Sequence, residues 1–232
     1  MPALSQAKSH AWSAVCLNNL KQQQVAWHIY AGDNNDAVAP NDSFSSVSEP
    51  GSSNAPFAAQ SGATWCPGIA PLDTTTSNIE LGLMFPYNRA DGIYRCPADT
   101  STVTGTGLTR TRSYCMSISL CCDDATGSCR KMADIFNPSP SGLFVLIDTH
   151  ELDIWDSTFG IFSSDSAYAS YWLDLPADRH AQGASLSFAD GHCEHWRWKA
   201  PKRFVSRWQQ TYDAADLADL QRLQGCAKLG LD

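Results

Sequence analysis

The sequence predicts an α+β protein: one long N-terminal helix packed on a mostly antiparallel sheet, with long loops and a short C-terminal helix. Three observations carry this. Apolar residues recur at three- and four-residue spacing from Leu4 onward and again after Asp213, the period of a helix with one buried face. Between them lie short apolar or alternating runs, separated by stretches rich in Gly, Pro, Ser and Asn, the pattern of strands and loops. Near the end, Asp190-Gly191 marks a hairpin turn between two such runs, because Gly accepts a positive φ and Asp tolerates one.

The 232 residues suit a single domain spanning 1–232, long enough to bury a sizeable core. A formal net charge of −8, with 17% charged and 43% hydrophobic residues, points to a globular protein. It offers no basic stripe for phosphates, so no nucleic-acid partner is expected. Nine cysteines are many for a reducing compartment. No Cys-x-x-Cys pair occurs, so neither a zinc ribbon nor a thioredoxin-like motif is written here. The cysteines favour an oxidising, extracytoplasmic location with some disulfides; packed free thiols are the plainer alternative.

The first helix is expected from Pro2 to about Ala31, giving an N-terminal element over 1–32. Leu4, Ala7, Ala11, Ala14, Leu17 and Leu20 set a stripe that Val25 and Ile29 continue. Pro2 fits a first turn and Gly32 fits the position just past the end. At 1.5 Å per residue the helix is roughly 40 Å long. Asp33-Asn34-Asn35-Asp36 follows at once. Clustered oxygen donors can hold calcium, but the EF-hand spacing is absent, and Asn and Asp at a helix exit also simply make a turn.

Residues 37 to 63 read as a long surface loop ended by Trp65-Cys66-Pro67. Arg112 to Leu120 alternates like a strand, with Cys115 in it. Lys131 to Pro138 reads as a short helix or turn, and Leu143 to Asp148 as a buried central strand. Asp148, Glu151, Asp153 and Asp156 crowd its end, either as metal or acid–base groups or as solvated loop acids. Residues 157 to 178 form a loop bearing Tyr168, Tyr171 and Trp172.

Ala184 to Ala189 alternates small or polar with apolar residues, a half-buried strand. With a two-residue turn at Asp190-Gly191, Ala189 faces His192, Phe188 faces Cys193 and Leu186 faces His195. Trp196 and Trp198 then share a face. A connector from Pro201 to Trp208 leads to a helix over about 213–225. Asp213 is its N-cap and Asp216 its N3 carboxylate; Leu217, Leu220 and Leu223 make its buried face, and Gly225 ends it.

His180, nine intervening residues and Asp190-Gly191, inside Arg179-His180 … Ser187-Phe188-Ala189-Asp190-Gly191-His192, resembles the prepilin-type H-x9-DG proteins. Four further blocks follow the family's order: Cys16 to Gln22 with Trp27 to Asp36, Leu81 to Tyr87 with Gly92 to Asp99, Arg112-Ser113-Tyr114, and the acidic start of the last helix. Only the loops at 37–63 and 150–178 lack counterparts. The resemblance implies a pilin-like fold and a structural role, as a pseudopilin subunit of a type II secretion or type IV pilus-like assembly. Its partners would be other pseudopilins, the secretion machinery and the inner membrane. No run of about 18 apolar residues exists in the sequence; the resemblance implies a membrane-anchoring helix upstream of Met1.

No Gly-x-Ser-x-Gly, His-Glu-x-x-His or phosphate loop occurs, so an enzyme is not expected. His180 is expected to hydrogen-bond the turn or Asp190. The alternative is a zinc site made by His180, Asp190 and His192. His192 and His195 point to opposite faces of a strand and do not share one ion. Calcium at Asp33, Asn35 and Asp36 is the other metal option. Cys66 and Cys96, each followed by a proline, are the first disulfide candidates; Cys121 or Cys122 with Cys129 would close a short loop. Connectivity does not follow from sequence. Two rival functions are a carbohydrate-binding module stacking sugars on Trp65, Tyr168, Tyr171 and Trp172, and a metal-dependent hydrolase around His180 and Asp148.

Overall fold

The computed structural model describes residues 2–41, 64–122, 125 and 127–228, with side chains from residue 7 onward. Most of the 37–63 loop, and residues 123, 124 and 126 of the loop before Cys129, therefore lie outside the described residues. Helix α1 (Pro2–Asp33) comes first. Five strands form the main sheet: β1 (Tyr114–Ser117), β2 (Phe144–Asp148), β3 (Thr158–Phe159), β5 (Gly183–Phe188) and β6 (Cys193–Arg197), in the order β3-β1-β2-β5-β6. All neighbours are antiparallel except β1 with β3. Strands β4 (Tyr171–Trp172) and β7 (Gln209–Gln210) pair separately, and helix α2 (Ala214–Gln224) closes the chain. The α+β expectation holds in this mixed-sheet form.

Strands β2 and β5 are buried along their whole length, because layers cover the sheet on both sides. On one side lies α1, packed with Tyr114, Met116, Leu146 and the segment from Trp65 to Cys96. On the other lie α2, Trp172, Trp196 and Trp198, packed with Phe144, Ile147, Leu186 and Phe188. The alternation expected in β5 is real, but both faces are covered. Ser185 and Ser187 are small enough to let a helix backbone approach, and the Ser187 hydroxyl meets the Gln24 side-chain oxygen at 2.9 Å.

The buried stripe of α1 differs from the one expected. It runs through Cys16, Asn19, Leu20, Gln23, Gln24, Trp27, Tyr30 and Ala31. Val25 and Ile29 lie outside it, 49% and 45% exposed, and Ala7, Ala11 and Ala14 are exposed too. Polar members hid the stripe. Each makes a bond that offsets part of its burial: Asn19 donates to the Arg95 carbonyl at 3.0 Å and Gln23 to the Ile93 carbonyl at 2.8 Å, although Gln23 Oε1 and Gln24 Nε2 stay without a partner among the described residues.

The β5–β6 hairpin is one residue out of the expected register: Ser187 faces Cys193 and Ser185 faces His195. The loop has three residues rather than two. Gly191 donates to the Phe188 carbonyl at 2.8 Å and Phe188 to the His192 carbonyl at 3.0 Å. Gly191, at φ +92°, takes the left-handed position that follows a type I turn. Asp190 fixes the turn by accepting from the His192 amide at 3.0 Å. Helix α2 starts as expected, with Asp213 accepting from the Asp216 amide at 2.7 Å. Its acids do more than cap. Lys202, from the connector, is fully buried with its ammonium 2.8 Å from Asp216 and 2.7 Å from Asp219.

Candidate functional site: a buried thiol, carboxylate and imidazole cluster

Four side chains from four separate segments converge under α1. Cys16 comes from the helix, Cys96 from the loop after a 3-10 turn (Asp91–Tyr94), Asp148 from the end of β2 and His180 from the turn before β5. All are buried, and one donor atom from each lies within 4.8 Å of the others. Cys96 Sγ is 3.1 Å from His180 Nε2, and Cys16 Sγ is 3.9 Å from Asp148 Oδ2.

Local structure explains each position. Asp148 shares a strand face with Leu146, the face that meets α1. It pairs with Tyr114 across the ladder, and the Tyr114 hydroxyl in turn lies 3.0 Å from Cys16 Sγ. His180 is aimed inward by a left-handed turn: His180 (φ 58°, ψ 59°), Ala181 (φ 63°, ψ 52°) and Gln182 (φ 63°). Non-glycine residues held there store backbone strain, which concentrates at functional sites.

Arg179 holds the carboxylate from behind. It bonds Asp148 Oδ1 and reaches Glu151 at 3.0 Å and Asp99 at 3.3 Å. Asp99 is itself fixed by the Ser113 hydroxyl at 2.6 Å.

Burial dominates the electrostatics. It pushes the Asp148 carboxyl up to about 7 against the pull of Arg179, with Asp99 adding to the rise. Burial, with the charges of His195 and Arg179, lowers His180 to about 4. The Cys96 thiol is pushed up by its hydrogen bond with Cys16 and by burial. Each of these three groups is thus driven toward its neutral form. A cation in their midst would reverse that preference for the thiol and the carboxyl and keep the imidazole neutral, since thiolate, carboxylate and neutral imidazole are all metal donors.

Several expected sites are arranged otherwise. His180 does not meet Asp190 or His192: the six residues of β5 put roughly 20 Å of strand between them. His192 instead bonds Asp190 at 2.5 Å and stacks on Phe188. His195 lies beside His180, with ring centroids 6.3 Å apart, on the opposite side of its strand from His192, as expected. Asn35 and Asp36 take positive φ at the exit of α1, the turn reading. Among the described residues, Asp33 and Asp36 join no group of three or more His, Cys, Asp or Glu donors.

Cys66 and Cys96 are both free, so the expected bridge is not formed. Arg112 occupies Cys66, donating to its carbonyl at 3.0 Å and to its sulfur at 3.4 Å, while Cys96 faces Cys16 and His180. Cys129 is a thiol too, directed at the Asp134 carbonyl at 3.5 Å. No bridge therefore closes its loop to Cys122, which backbone bonding from the Cys121 amide to the Cys129 carbonyl holds instead. Trp65 and Trp172 are 0% and 1% exposed, so neither presents a face to a sugar; Tyr168 and Tyr171 remain at the surface, edge to face. Asp153 and Asp156 serve the backbone, accepting from Leu175 at 2.5 Å and Thr158 at 2.8 Å.

Sequence reasoning had His180 and Asp148, took Cys96 for a disulfide partner of Cys66, and gave Cys16 no chemical role. Donors scattered between positions 16 and 180 make no short motif; only the fold joins them. The other half of the H-x9-DG stretch also touches α1. Lys21 donates to the Gly191 carbonyl at 2.6 Å, and His28 lies against the same glycine. The motif thus brackets β5, with one end on Cys16 and the other on Lys21 and His28. No helix among the described residues is long and apolar enough to cross a membrane. No protein-family model, curated protein or solved structure matches this chain.

Proposed function

We propose that the protein is a pilin-like structural subunit, a pseudopilin of a type II secretion or type IV pilus-like assembly. It acts outside the cytoplasm and is anchored in the inner membrane by an apolar helix leading into α1. Its partners are other pseudopilins and the secretion machinery, and it has no catalytic role. One observation carries the reading: a single long helix lies on a sheet, gripped by both ends of the H-x9-DG stretch, while its outward face sets three exposed aliphatic side chains among the polar Asn18 and Gln22. Val15, Val25 and Ile29 are 47%, 49% and 45% exposed on that face. In a filament built from stacked helices, such a face would pack on the helices of neighbouring subunits, where apolar area removed from water drives association.

A photo-crosslinking residue at Val25, expressed in the native host, tests this. The expected adducts are small membrane-associated proteins with processed prepilin-type N-termini. The same probe at the exposed Leu152 should give none of these. Equal yields from the two positions, or adducts only with unrelated soluble proteins, would overturn the reading.

A further inference from the structure

We propose that Cys16, Cys96, Asp148 and His180 bind one zinc ion in a closed tetrahedral site that pins α1 to the sheet. This goes beyond the pseudopilin reading and does not depend on it. Tetrahedral zinc has bonds of about 2.3 Å to sulfur and about 2.0–2.1 Å to nitrogen or oxygen. Its donors therefore stand roughly 3.3–3.8 Å apart. The Cys96–His180 separation of 3.1 Å and the Cys16–Asp148 separation of 3.9 Å bracket that range, and all four donors lie within 4.8 Å of one another.

The mixed sulfur, nitrogen and oxygen set suits zinc rather than magnesium or calcium, which take oxygen donors. Four protein donors leave no open position, which marks a structural site rather than a catalytic one.

Outer contacts orient two of the four donors, while His180 Nδ1 has no hydrogen-bond partner among the described residues. Asp148 accepts from Arg179 through Oδ1 and so turns Oδ2 toward the cluster. The Tyr114 hydroxyl holds Cys16 Sγ at 3.0 Å. These are outer contacts of the kind that orient ligands. Zinc with two thiolates and one carboxylate carries one net negative charge and would sit beside the Arg179 guanidinium, which also pairs with Asp99 and Glu151. On binding, each cysteine loses its proton to solvent and forms a zinc–sulfur bond. The strained turn at His180 acquires a purpose, because only an inward imidazole completes the set. A cleft of about 310 Å³ lined by Lys8, Ser9, Trp12, Ala98, Arg179 and His180 leads from the surface to that imidazole.

The test uses the whole chain, reduced, loaded with zinc and freed of excess metal. About one zinc per chain should remain, and cobalt in its place should give tetrahedral visible bands with a thiolate-to-cobalt band. C96S and H180A should each weaken retention against a competing chelator by tenfold or more, at least the loss that removing an outer-shell partner causes. C193S, in the distant hairpin, should retain the metal and shows that thiol loss alone is not the cause. Three results would overturn the proposal: a folded, reduced protein binding no more zinc than H180A, a cobalt spectrum without the thiolate band, or a Cys16–Cys96 disulfide in protein from its natural source.

Discussion

At the scale of single residues, special backbone positions and buried charges set the expectations. Gly191 sits at φ +92°, and a Cβ there would lie 3.4 Å from the His28 ring. Space is adequate, so G191A should cost about 1–2 kcal/mol from conformation alone, measured by urea denaturation. G183A should cost more, because its Cβ would lie 2.2 Å from the Trp196 carbonyl oxygen, and a backbone atom cannot move aside cheaply. Asp153 gives a pH prediction. Burial raises its carboxyl to about 6, against its hydrogen bond from Leu175. A raised carboxyl contributes stability that is fully present below the unfolded value near 4 and is lost as pH rises through 6, by roughly 2–3 kcal/mol. D153N, which can still accept from the Leu175 amide, should flatten that fall. An unchanged pH profile in D153N would contradict the assignment.

At the scale of elements, the two helices are held by polar groups set inside apolar layers. Lys202 is enclosed by Asp216, Asp219 and the rings of Trp172 and Trp198. Removing it leaves two buried carboxylates without their cation, so K202A should cost about 3–5 kcal/mol and loosen α2 first; a loss under 1 kcal/mol would contradict this. Trp27 is fully buried at the centre of the α1 interface, and W27A should cost about 3–5 kcal/mol. Element identity was largely legible in the sequence. Periodicity and caps located α1 and α2, and the apolar run at 143–148 located β2. What was not legible followed from polar residues doing apolar work. The stripe of α1 contains Asn19, Gln23 and Gln24, whose burial depends on carbonyls from Ile93 and Arg95 and on Ser187. The hairpin register turned on whether Gly191 ended a two- or three-residue loop, and Asp-Gly fits both. The Cys96 pairing was misread because its partner is set by the arrival of α1, not by a neighbouring proline.

For the whole molecule, the central claim is that α1 is a docked element of the core rather than an independent rod. From Cys16 to His28 it runs roughly 18 Å, close to the length of β5, and the H-x9-DG stretch touches it at both limits. Before Cys16, no side chain described from residue 7 onward is buried. Native-state hydrogen exchange tests the claim directly. If α1 is docked, amides from Leu20 to Ala31 should exchange with β2 and β5 as one cooperative unit, near the global unfolding free energy, while those from Lys8 to Ala14 exchange far faster. Equal, fast exchange along the whole of α1, with β2 and β5 still protected, would show that the helix is not held by the sheet.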